Sequence, residues 1–579
     1  MRNLFRSLVY FTLIITVVFL SRCTIADDMG KIQNSLDSLK ISIGSPQFNA
    51  LVHLEFVDAK TMEYIQGNAT VTLSGKNAAD IYNNIGQRSE SFTTMIGMLD
   101  LVVDPHKVDT NTIKDNPVEF QVSASLAGYA SITQKVFVHE NKTKSIVISL
   151  IKLSNAPSGV SVAQNTNFAT SSPEGQVLQI SGESMNSGNQ TITIPAGVIL
   201  KDASGNPVSG TVSSQVIYFD PTSEDAQQAI PGGLDITAKL QDGSTSQISF
   251  MSAGMFYVSL SAGGKEVKSF ENGGLKIKTN VSPTLFNPNT GEPVKNGDVI
   301  EMWSIEEGSG NWVFEKMDTI KSVNGELVLE ETVTHLSGWN WDFHYLSCRY
   351  GPKFIWKGAL TNPASVIVNA KMKNNIYPRR TYINAKPNDA YYGNLQIYNT
   401  PKDVPTVFTF SDGSNSSNPQ FTFSPSTLDI ANLCEGKNYE ITINEKAGDY
   451  ITVNTDLSVS SGSGTSFIIK PNSTIYFKPS TVTNWSYAVL KNGISNLRVN
   501  VGTEYDIFAM FGNSSGYAKL KVENIDSNTL KITMTPTVQF GSTPETNKTR
   551  SYTVPKPSNG IITVKYDIVL PDNIFYQLN

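Results

Sequence analysis

Tryptophan is the residue type whose spacing in this chain most suggests ligand chemistry. Five of the six tryptophans fall in one stretch: Trp303, Trp312, Trp339, Trp341 and Trp356. Indole faces stack on sugar rings in sugar-binding β-sandwiches, and residues two apart on a strand, such as Trp339 and Trp341, share a face. The cluster predicts either a sugar platform or a packed core. Core packing is favoured, because large aromatic side chains usually fill interiors.

The histidines lack the spacing of a metal site. They are His53, His106, His139, His335 and His344, and no two stand four apart, as two zinc ligands on one helix face would. Asp342 and His344 share a strand face by alternation and could form an acid–base or metal pair, with His335 near in sequence. We interpret all three as structural polar groups and expect no metal.

Catalytic motifs are not expected elsewhere either. No phosphate-binding Gly-x-x-x-x-Gly-Lys-Ser/Thr loop occurs, and we predict no serine nucleophile elbow. The adjacent pairs Glu306-Glu307 and Glu330-Glu331 would point to opposite faces of a strand, which does not suit a glycosidase. Residues 220–225 offer three carboxylates without the glycine and final glutamate of a calcium loop, so a solvated loop is predicted. We expect no catalytic residues and no cofactor.

The first 22 residues have the pattern of a secretory signal. Arg2 and Arg6 precede the apolar run from Leu8 to Leu20, which is shorter than the roughly 20 residues of a membrane helix. The run ends in the letters LSRC, which resemble the cleavage box of bacterial lipoproteins, in which the cysteine is lipidated. This implies lipidation at Cys23, although Arg22 departs from the small residue of that pattern. A soluble secretory signal and an uncleaved anchor are the alternatives.

The residues after Cys23 predict the location of the chain. Thr24, Asp27 and Asp28 resemble the acidic tether of surface lipoproteins in the Bacteroidota, which implies display outside the outer membrane through an N-terminal lipid. The net charge of −6 and the pI near 5.6 provide no basic stripe for phosphates, so nucleic acid is not an expected partner. The expected partners are the membrane and an extracellular protein or glycan.

The rest of the chain predicts several β domains. At about 100 to 200 residues per domain, 579 residues correspond to about four. From residue 46 apolar residues alternate with polar ones, as in Val52, Leu54 and Phe56, which is typical of half-buried strands. We predict a tether at 23–45, a sandwich at 46–153, a Ser- and Asn-rich linker at 154–174, a double β module at 175–345, and sandwiches at 352–445 and 446–579.

Short motifs follow one another through the predicted double module. They are Ile194–Gly197, Phe219–Pro221, Pro231–Leu234, Ser252–Met255, Trp303 with Gly310–Trp312, and His335–Asp342. In this order they resemble an extracellular β module of bacterial surface proteins and of animal matrix proteins such as cartilage intermediate layer protein. The resemblance implies a non-catalytic structural or adhesive module. It implies core positions for Trp303, Trp312 and Trp339, which leaves Trp341 and Trp356 as the candidate ligand-binding residues.

The last two segments share a Gly-x-x-Tyr-acid-Ile motif, at Gly436–Ile441 and Gly502–Ile507. Glycine would take the turn, and alternate apolar residues would face a core. The motif, with Gly128-Tyr129 in the first segment, resembles the turn before a late strand in carboxypeptidase regulatory-like, transthyretin-type sandwiches. We predict an all-β fold of tandem immunoglobulin-like or transthyretin-like sandwiches.

Cys348 and Cys434 are the only cysteines apart from Cys23. Two cysteines make no disulfide framework, so each domain needs its own hydrophobic core. We interpret them as two buried thiols, and a single bridge is the alternative, which requires Cα atoms within about 7 Å.

These features predict a non-catalytic cell-surface lipoprotein whose stacked β-sandwiches serve adhesion or contact with envelope or extracellular proteins. The alternative is a glycan-binding accessory lipoprotein of a nutrient-uptake system, which would need exposed aromatic faces beside amide and carboxylate groups. A hydrolase would need a cleft with two facing carboxylates or with a nucleophile and a base, and no segment is left over to house one.

Overall fold

Strands form most of the described chain, which confirms the predicted all-β fold class. The computed structural model describes residues 41–570 except 45–49, 85, 109–112, 170–175, 182–188, 234, 307–308, 361–362, 374–377, 389–392, 414–418, 447–448, 462–466, 471–472, 482–484, 512–513, 541–542, 547–548 and 559. The predicted signal peptide, Cys23 and most of the tether lie outside the described residues. No helix in the described ranges is long and apolar enough to cross a membrane.

The first unit is a sandwich of two four-stranded sheets. The chain enters through β1 (Ile41–Gly44), and the strands of this unit are β2 (Leu51–Asp58), β3 (Thr70–Ser74), β4 (Ile81–Asn83), β5 (Ser91–Thr93), β6 (Met98–Val103), β7 (Val118–Ser125), β8 (Ile132–Val138) and β9 (Lys144–Leu150), with 3-10 turns at Ala78–Asp80 and Pro105–Lys107. The strand orders are β4-β6-β2-β9 and β5-β3-β7-β8. Alternate residues such as Leu54, Phe56 and Phe120 meet in the core between the sheets.

The central unit is built on an eleven-stranded sheet. Its elements are β10 (Val160–Ala169), β11 (Gln176–Ser181), β12 (Asn189–Ile194), β13 (Ile199–Lys201), β14 (Thr211–Phe219), α1 (Glu224–Gln228), β15 (Asp235–Lys239), β16 (Thr245–Ala262), β17 (Lys265–Glu266), β18 (Ser269–Glu271), β19 (Leu275–Asn280), β20 (Phe286–Asn287), β21 (Glu292–Pro293), β22 (Val299–Glu306), β23 (Asn311–Thr319), β24 (Lys321–Val323), β25 (Glu326–Val333) and β26 (Gly338–Lys357). The large sheet runs β10-β14-β16-β15-β23-β22-β26 and continues into the third unit. Both of its faces are covered: one packs on the five-stranded sheet β11-β12-β19-β25-β24, and a second core lies on the other.

Two predicted boundaries fall inside strands. The segment 154–174, predicted as a linker, contains β10, which pairs with β14 from Val160 opposite Phe219 onward. The linker is therefore wrong for 160–169, because strand pairing uses backbone groups and tolerates a polar composition when alternate residues are apolar. The predicted break between 345 and 352 lies within β26, a strand that two units share, and it stays a prediction. The other boundaries stay predictions.

The third unit packs a second sheet against the end of the large one. Its strands are β27 (Ala364–Met372), β28 (Pro378–Ala385), β29 (Leu395–Pro401), β30 (Thr406–Asp412), β31 (Phe421–Ser424), β32 (Thr427–Ile430) and β33 (Asn438–Glu445), with a 3-10 turn at Leu433–Glu435. The sheet β28-β27-β30-β32 covers β26, β29, β33 and β31. Phe354, Trp356 and Phe410 lie in the core between them.

The two cysteines described by the structure form a disulfide, in place of the two thiols favoured from sequence. The Cα atoms of Cys348 and Cys434 are 5.6 Å apart, and 86 residues separate them in sequence. They meet because β33 runs parallel to β26, with Asn438 opposite Lys353, and so carries the preceding turn to the side of β26. Pairing of distant strands decides this contact, and sequence spacing does not reveal it.

The fourth unit contains two further sheets. Its strands are β34 (Tyr450–Ser461), β35 (Phe467–Lys470), β36 (Ser473–Pro479), β37 (Ser486–Leu490), β38 (Ile494–Asn500), β39 (Glu504–Phe511), β40 (Ser514–Asp526), β41 (Thr529–Phe540), β42 (Thr543–Thr546), β43 (Arg550–Pro555) and β44 (Ile561–Leu570). One sheet has the order β1-β35-β34-β38 with β44 beside β34, and the other has the order β37-β36-β39-β40-β41-β42 with β43 beside β41. Leu497, Leu520 and Ile532 fill the core.

The repeated glycine motif has the predicted role in both segments. Gly436 and Gly502 adopt left-handed conformations with φ of 62° and 88°, which glycine reaches without a steric penalty. Each precedes a strand, and the isoleucines five positions later, Ile441 and Ile507, are buried. The turn and the alternation are confirmed at both sites.

Candidate functional site

The two tryptophans predicted as ligand-binding residues are buried. Trp341 and Trp356 are 0% and 2% exposed. The indole N–H of Trp341 donates to Asp318 Oδ2 at 3.0 Å, and Trp356 packs edge-on against Phe410 with ring centroids 6.1 Å apart. The sugar-platform prediction is therefore wrong. Both residues lie on β26. Other layers cover both faces of the strand at Trp341. Trp356 lies on the face that packs against the sheet β28-β27-β30-β32, and the opposite face carries the exposed Lys357.

Asp342, His344 and His335, interpreted from sequence as structural polar groups, have different surroundings. Asp342 is fully buried, and its burial raises the pKa of its carboxyl well above the usual range, with Glu301 adding to the effect. His344 Nδ1 lies 2.5 Å from Glu301 Oε2. His335 lies apart from them and packs against Trp339, with ring centroids 4.7 Å apart and ring planes tilted by 49°. No group of three or more His, Cys, Asp or Glu side chains suited to a metal occurs in the described chain.

Two other sequence features have ordinary structural roles. The pattern Gly-x-Ser-x-Gly does occur once, at 512–516, but Phe511 pairs with Ser514 across an antiparallel hairpin. A nucleophile elbow requires a strand followed by a helix, so this is not one. In the loop 220–225, Asp220 is buried and accepts hydrogen bonds from the N–H and hydroxyl of Thr222 at 2.8 and 2.7 Å. The prediction of a solvated loop is wrong for Asp220.

A buried cluster that the sequence analysis does not predict joins the first and fourth units. We call His53, Glu55, Asp100 and Tyr476 the junction cluster. His53 Nδ1 lies 2.9 Å from Asp100 Oδ1, and His53 Nε2 lies 3.4 Å from Glu55 Oε1. The Tyr476 hydroxyl donates to Asp100 Oδ1 at 2.5 Å. The signal was present in the sequence, because charged residues interrupt the apolar strands β2 and β6.

The electrostatics of the junction cluster favour a charged histidine. Burial lowers the pKa of His53, but hydrogen bonds and attraction from Asp100 and Glu55 outweigh it and raise the pKa to about 9. Burial raises the pKa of Tyr476 well above its usual range, and Asp100 adds to the increase. An imidazolium between two carboxylates at a sealed junction suits fastening of units rather than catalysis.

A cleft opens where the first unit meets the central and third units. Two cavities of about 350 and about 530 Å³ share Ile132, Lys135, Phe137 and Gly232. We call the two together the junction cleft. Their sizes fall in the range of about 300 to 1,000 Å³ typical of ligand sites, which often lie between domains.

Strands β8 and β9 form the floor of the smaller cavity. They are outer strands of the two sheets of the first unit, and residues at the end of α1, in the loop after it, and on β28 and β29 complete the walls. Lys144 Nζ donates to the carbonyl oxygen of Phe137 at 2.5 Å, and Gln134 Nε2 to that of Lys135 at 3.5 Å. The backbone carbonyl oxygens of Phe137 and Lys135 on β8 thus accept hydrogen bonds from side chains.

The larger cavity is lined by hydroxyl groups. Thr70, Thr72, Ser123 and Thr133 come from the outer face of the sheet β5-β3-β7-β8, because their neighbours in sequence face the core. The central unit contributes Ser337 among others. These groups can donate and accept hydrogen bonds, which suits a polar ligand.

Polar contacts between units fix the walls of the cleft. Lys135 Nζ donates to Asn311 Oδ1 in the central unit at 2.6 Å and pairs with Glu119 at 2.5 Å. On the side of the third unit, His139 stacks on Tyr398 with centroids 4.1 Å apart and an interplanar angle of 6°. The Tyr398 hydroxyl donates to Glu140 Oε1 at 3.1 Å. The cleft is therefore held from both sides without a disulfide between units.

Comparisons with known proteins leave the family open. No family model and no curated protein matches the chain, so the resemblances stated from sequence stay predictions. Similar solved structures include a leucine-rich repeat protein from Bacteroides thetaiotaomicron (15% identity, 39% of this chain and 27% of that chain, TM-score 0.13). The Bacillus anthracis TIE protein is 11% identical over 72% of this chain and 59% of that chain, with a TM-score of 0.13. The full-length major pilin RrgB from Streptococcus pneumoniae is 7% identical over 94% of this chain and 98% of that chain, with a TM-score of 0.12. The chain matches less than two thirds of the first two, and TM-scores of this size indicate no shared overall arrangement.

Proposed function

We propose that the protein is a non-catalytic cell-surface protein that binds an extracellular ligand in the junction cleft, in adhesion or in contact with envelope or extracellular proteins. The lipid at Cys23 and display at the outer membrane are part of this proposal and rest on the N-terminal sequence pattern. The disulfide between Cys348 and Cys434 fits export, because such bonds persist in oxidising compartments.

The observation that carries the proposal is the composition of the cleft. Its walls come from three units and present hydroxyl, amide and basic groups. Among the described residues that line the two cavities, Glu266 is the one carboxylate. Two facing carboxylates, as a glycosidase needs, are thus missing from the described lining.

The second candidate is a glycan-binding accessory lipoprotein of a nutrient-uptake system. The amide side chains of the smaller cavity and the hydroxyl wall of the larger one favour it, since sugar hydroxyls pair with both. The tryptophans that first suggested it do not, because they are buried.

Two measurements test the proposal. Cys23→Ala should release the protein from the membrane fraction, and retention equal to wild type would remove the lipid anchor from the proposal. The purified full chain carrying Cys23→Ala should then bind members of an array of glycans and extracellular proteins without changing them chemically. Turnover of a bound glycan or peptide would replace binding with catalysis.

A further inference from the structure

We infer that the junction cleft binds a linear anionic polysaccharide, whose carboxylate or sulfate groups meet basic side chains of the cleft. The inference rests on the proposed binding function and adds the chemical class of the ligand.

The charge of the cleft is opposite to that of the chain. The protein has 51 acidic and 45 basic residues and a net charge of −6. The smaller cavity is nevertheless lined by Lys135, Lys144 and Arg380, with no carboxylate among its described lining residues. Lys135 pairs with Glu119 just outside the lining, so the positive charge of this cavity rests mainly on Lys144 and Arg380. The larger cavity adds Lys268, which pairs with Glu266 at 2.7 Å. Like-signed groups on concave walls focus their field into the cleft and attract an anion.

The Arg380 guanidinium is the clearest anion-binding group. Its side chain is exposed, and Nε donates to the neutral Asn369 Oδ1 at 3.0 Å. A guanidinium can bind a carboxylate or sulfate through parallel N–H donors.

The uncharged lining suits sugar. Five residues that line the smaller cavity carry amide side chains: Gln134, Gln227, Gln228, Gln396 and Asn399. The amide nitrogens of Gln227 and Gln396 donate to backbone carbonyls. Phe137, half-buried where the two cavities join, supplies an apolar ring between the amides on one side and the hydroxyl wall on the other. A polymer of hydroxyl-bearing rings with periodic charges matches this alternation of groups along a continuous cleft.

The β8 edge disfavours an acidic peptide as the occupant. An added strand would need the outward backbone carbonyls of Lys135 and Phe137, but these accept from Gln134 and Lys144 side chains. A sugar chain needs no backbone ladder and can use the side chains directly.

The test titrates the Cys23→Ala full chain with polygalacturonate, heparan sulfate and neutral dextran, using calorimetry. We expect at least one anionic polymer to bind, dextran not to bind, and added salt to weaken binding. Arg380→Gln and Lys144→Gln should each weaken binding about tenfold. The matched control is Lys276→Gln, which replaces an exposed lysine on β19 outside the cleft and should leave affinity unchanged. Melting curves check that each variant folds.

Each result decides a separate point. Binding of polygalacturonate alone or heparan sulfate alone identifies the anionic group, and binding of both identifies charge as the requirement. Equal binding of dextran, or equal effects of Arg380→Gln and Lys276→Gln, would overturn the inference but not the binding function. If the chain bound only proteins of the array, and the cleft variants bound them as well as wild type, the inference would also fail while the binding function would stand. A chain that binds neither glycan nor protein would end the proposed function as well.

Discussion

Two clusters of a histidine and two carboxylates, one buried and one partly exposed, differ in how they accommodate charge. In the junction cluster the imidazole of His53 lies between Asp100 and Glu55, and its pKa rises to about 9. In the central sheet, His344 pairs with Glu301, and the neighbouring Asp342 makes no ion pair among the described residues. Its pKa is raised instead by burial.

Burial is the largest single influence on the pKa of both groups and favours the neutral form, but at His53 the partners together outweigh it. A buried ion remains charged when an opposite charge offsets its desolvation, and otherwise the neutral form is favoured. Stability should therefore fall as pH rises at both clusters, between about 6.5 and 9 for His53 and from 3.8 upward for Asp342.

The largest effect is expected from His53→Ala. Removing the imidazole leaves Asp100 and Glu55 without their cation at a buried junction, which should cost about 3 to 5 kcal/mol of unfolding free energy. Chemical denaturation of the full chain measures it. His106→Ala, at an exposed histidine of the same unit, should change stability by less than about 0.5 kcal/mol. A similar small loss for both variants would contradict the fastening role.

The pH dependence should follow His53 on the alkaline side. Its pKa is about 9 in the folded chain against an ordinary 6.5, so its stabilisation is complete below pH 6.5 and is lost as pH rises through about 9. The free energy of unfolding should fall by about 3 kcal/mol across this range. Denaturation at several pH values measures the fall, and His53→Gln should abolish most of it.

Tyr476→Phe should have a smaller effect on the junction. It removes one hydrogen bond to the Asp100 carboxylate, and a hydrogen bond to a charged group contributes about 2 kcal/mol. Thermal unfolding measures the loss. Tyr552→Phe is the control, because the Tyr552 hydroxyl makes a long contact of 3.5 Å at an exposed site. Equal changes in melting temperature for the two variants would show that the Tyr476 hydroxyl does not stabilise the junction cluster.

The smallest effect, with the opposite sign, is expected at Asp342. Its folded pKa lies above the ordinary 3.8, so the folded state loses stability as pH rises from 3.8 through the raised value. Asp342→Asn removes this cost and should stabilise the chain by about 1 kcal/mol at neutral pH. The gain should vanish in acid, where wild type is protonated. Destabilisation at neutral pH would mean that Asp342 is charged and paired.

Alternation and turn chemistry made part of the fold predictable. The two Gly-x-x-Tyr turns and the strands after them could be predicted, because a glycine turn and a period of two are local properties. The exposure of Trp341 and Trp356 could not. Parity assigns a residue to a face of a strand, whereas the layer that covers that face comes from a distant part of the chain.

The candidate site was less predictable than the fold. The junction cleft combines residues of three units, and the junction cluster pairs His53 with Tyr476, 423 positions away. Contacts this remote depend on how whole units pack. The local indication of the junction cluster was Asp100 in the otherwise apolar strand β6, because a charged residue is rarely buried unless it is paired.

The length of β26 determines which walls of the cleft can move. The strand has 20 residues, which at about 3.3 Å of rise per residue give a contour length of about 65 Å. The central and third units share this strand. A hinge between the central and third units would have to break β26 and its hydrogen bonds to neighbouring strands. We therefore expect these two units to move as one body. The first unit is held to them by side-chain contacts alone on this face. Any change in the width of the cleft would therefore require the first unit, which carries β8, to tilt against the contacts of Lys135 with Asn311 and of His139 with Tyr398.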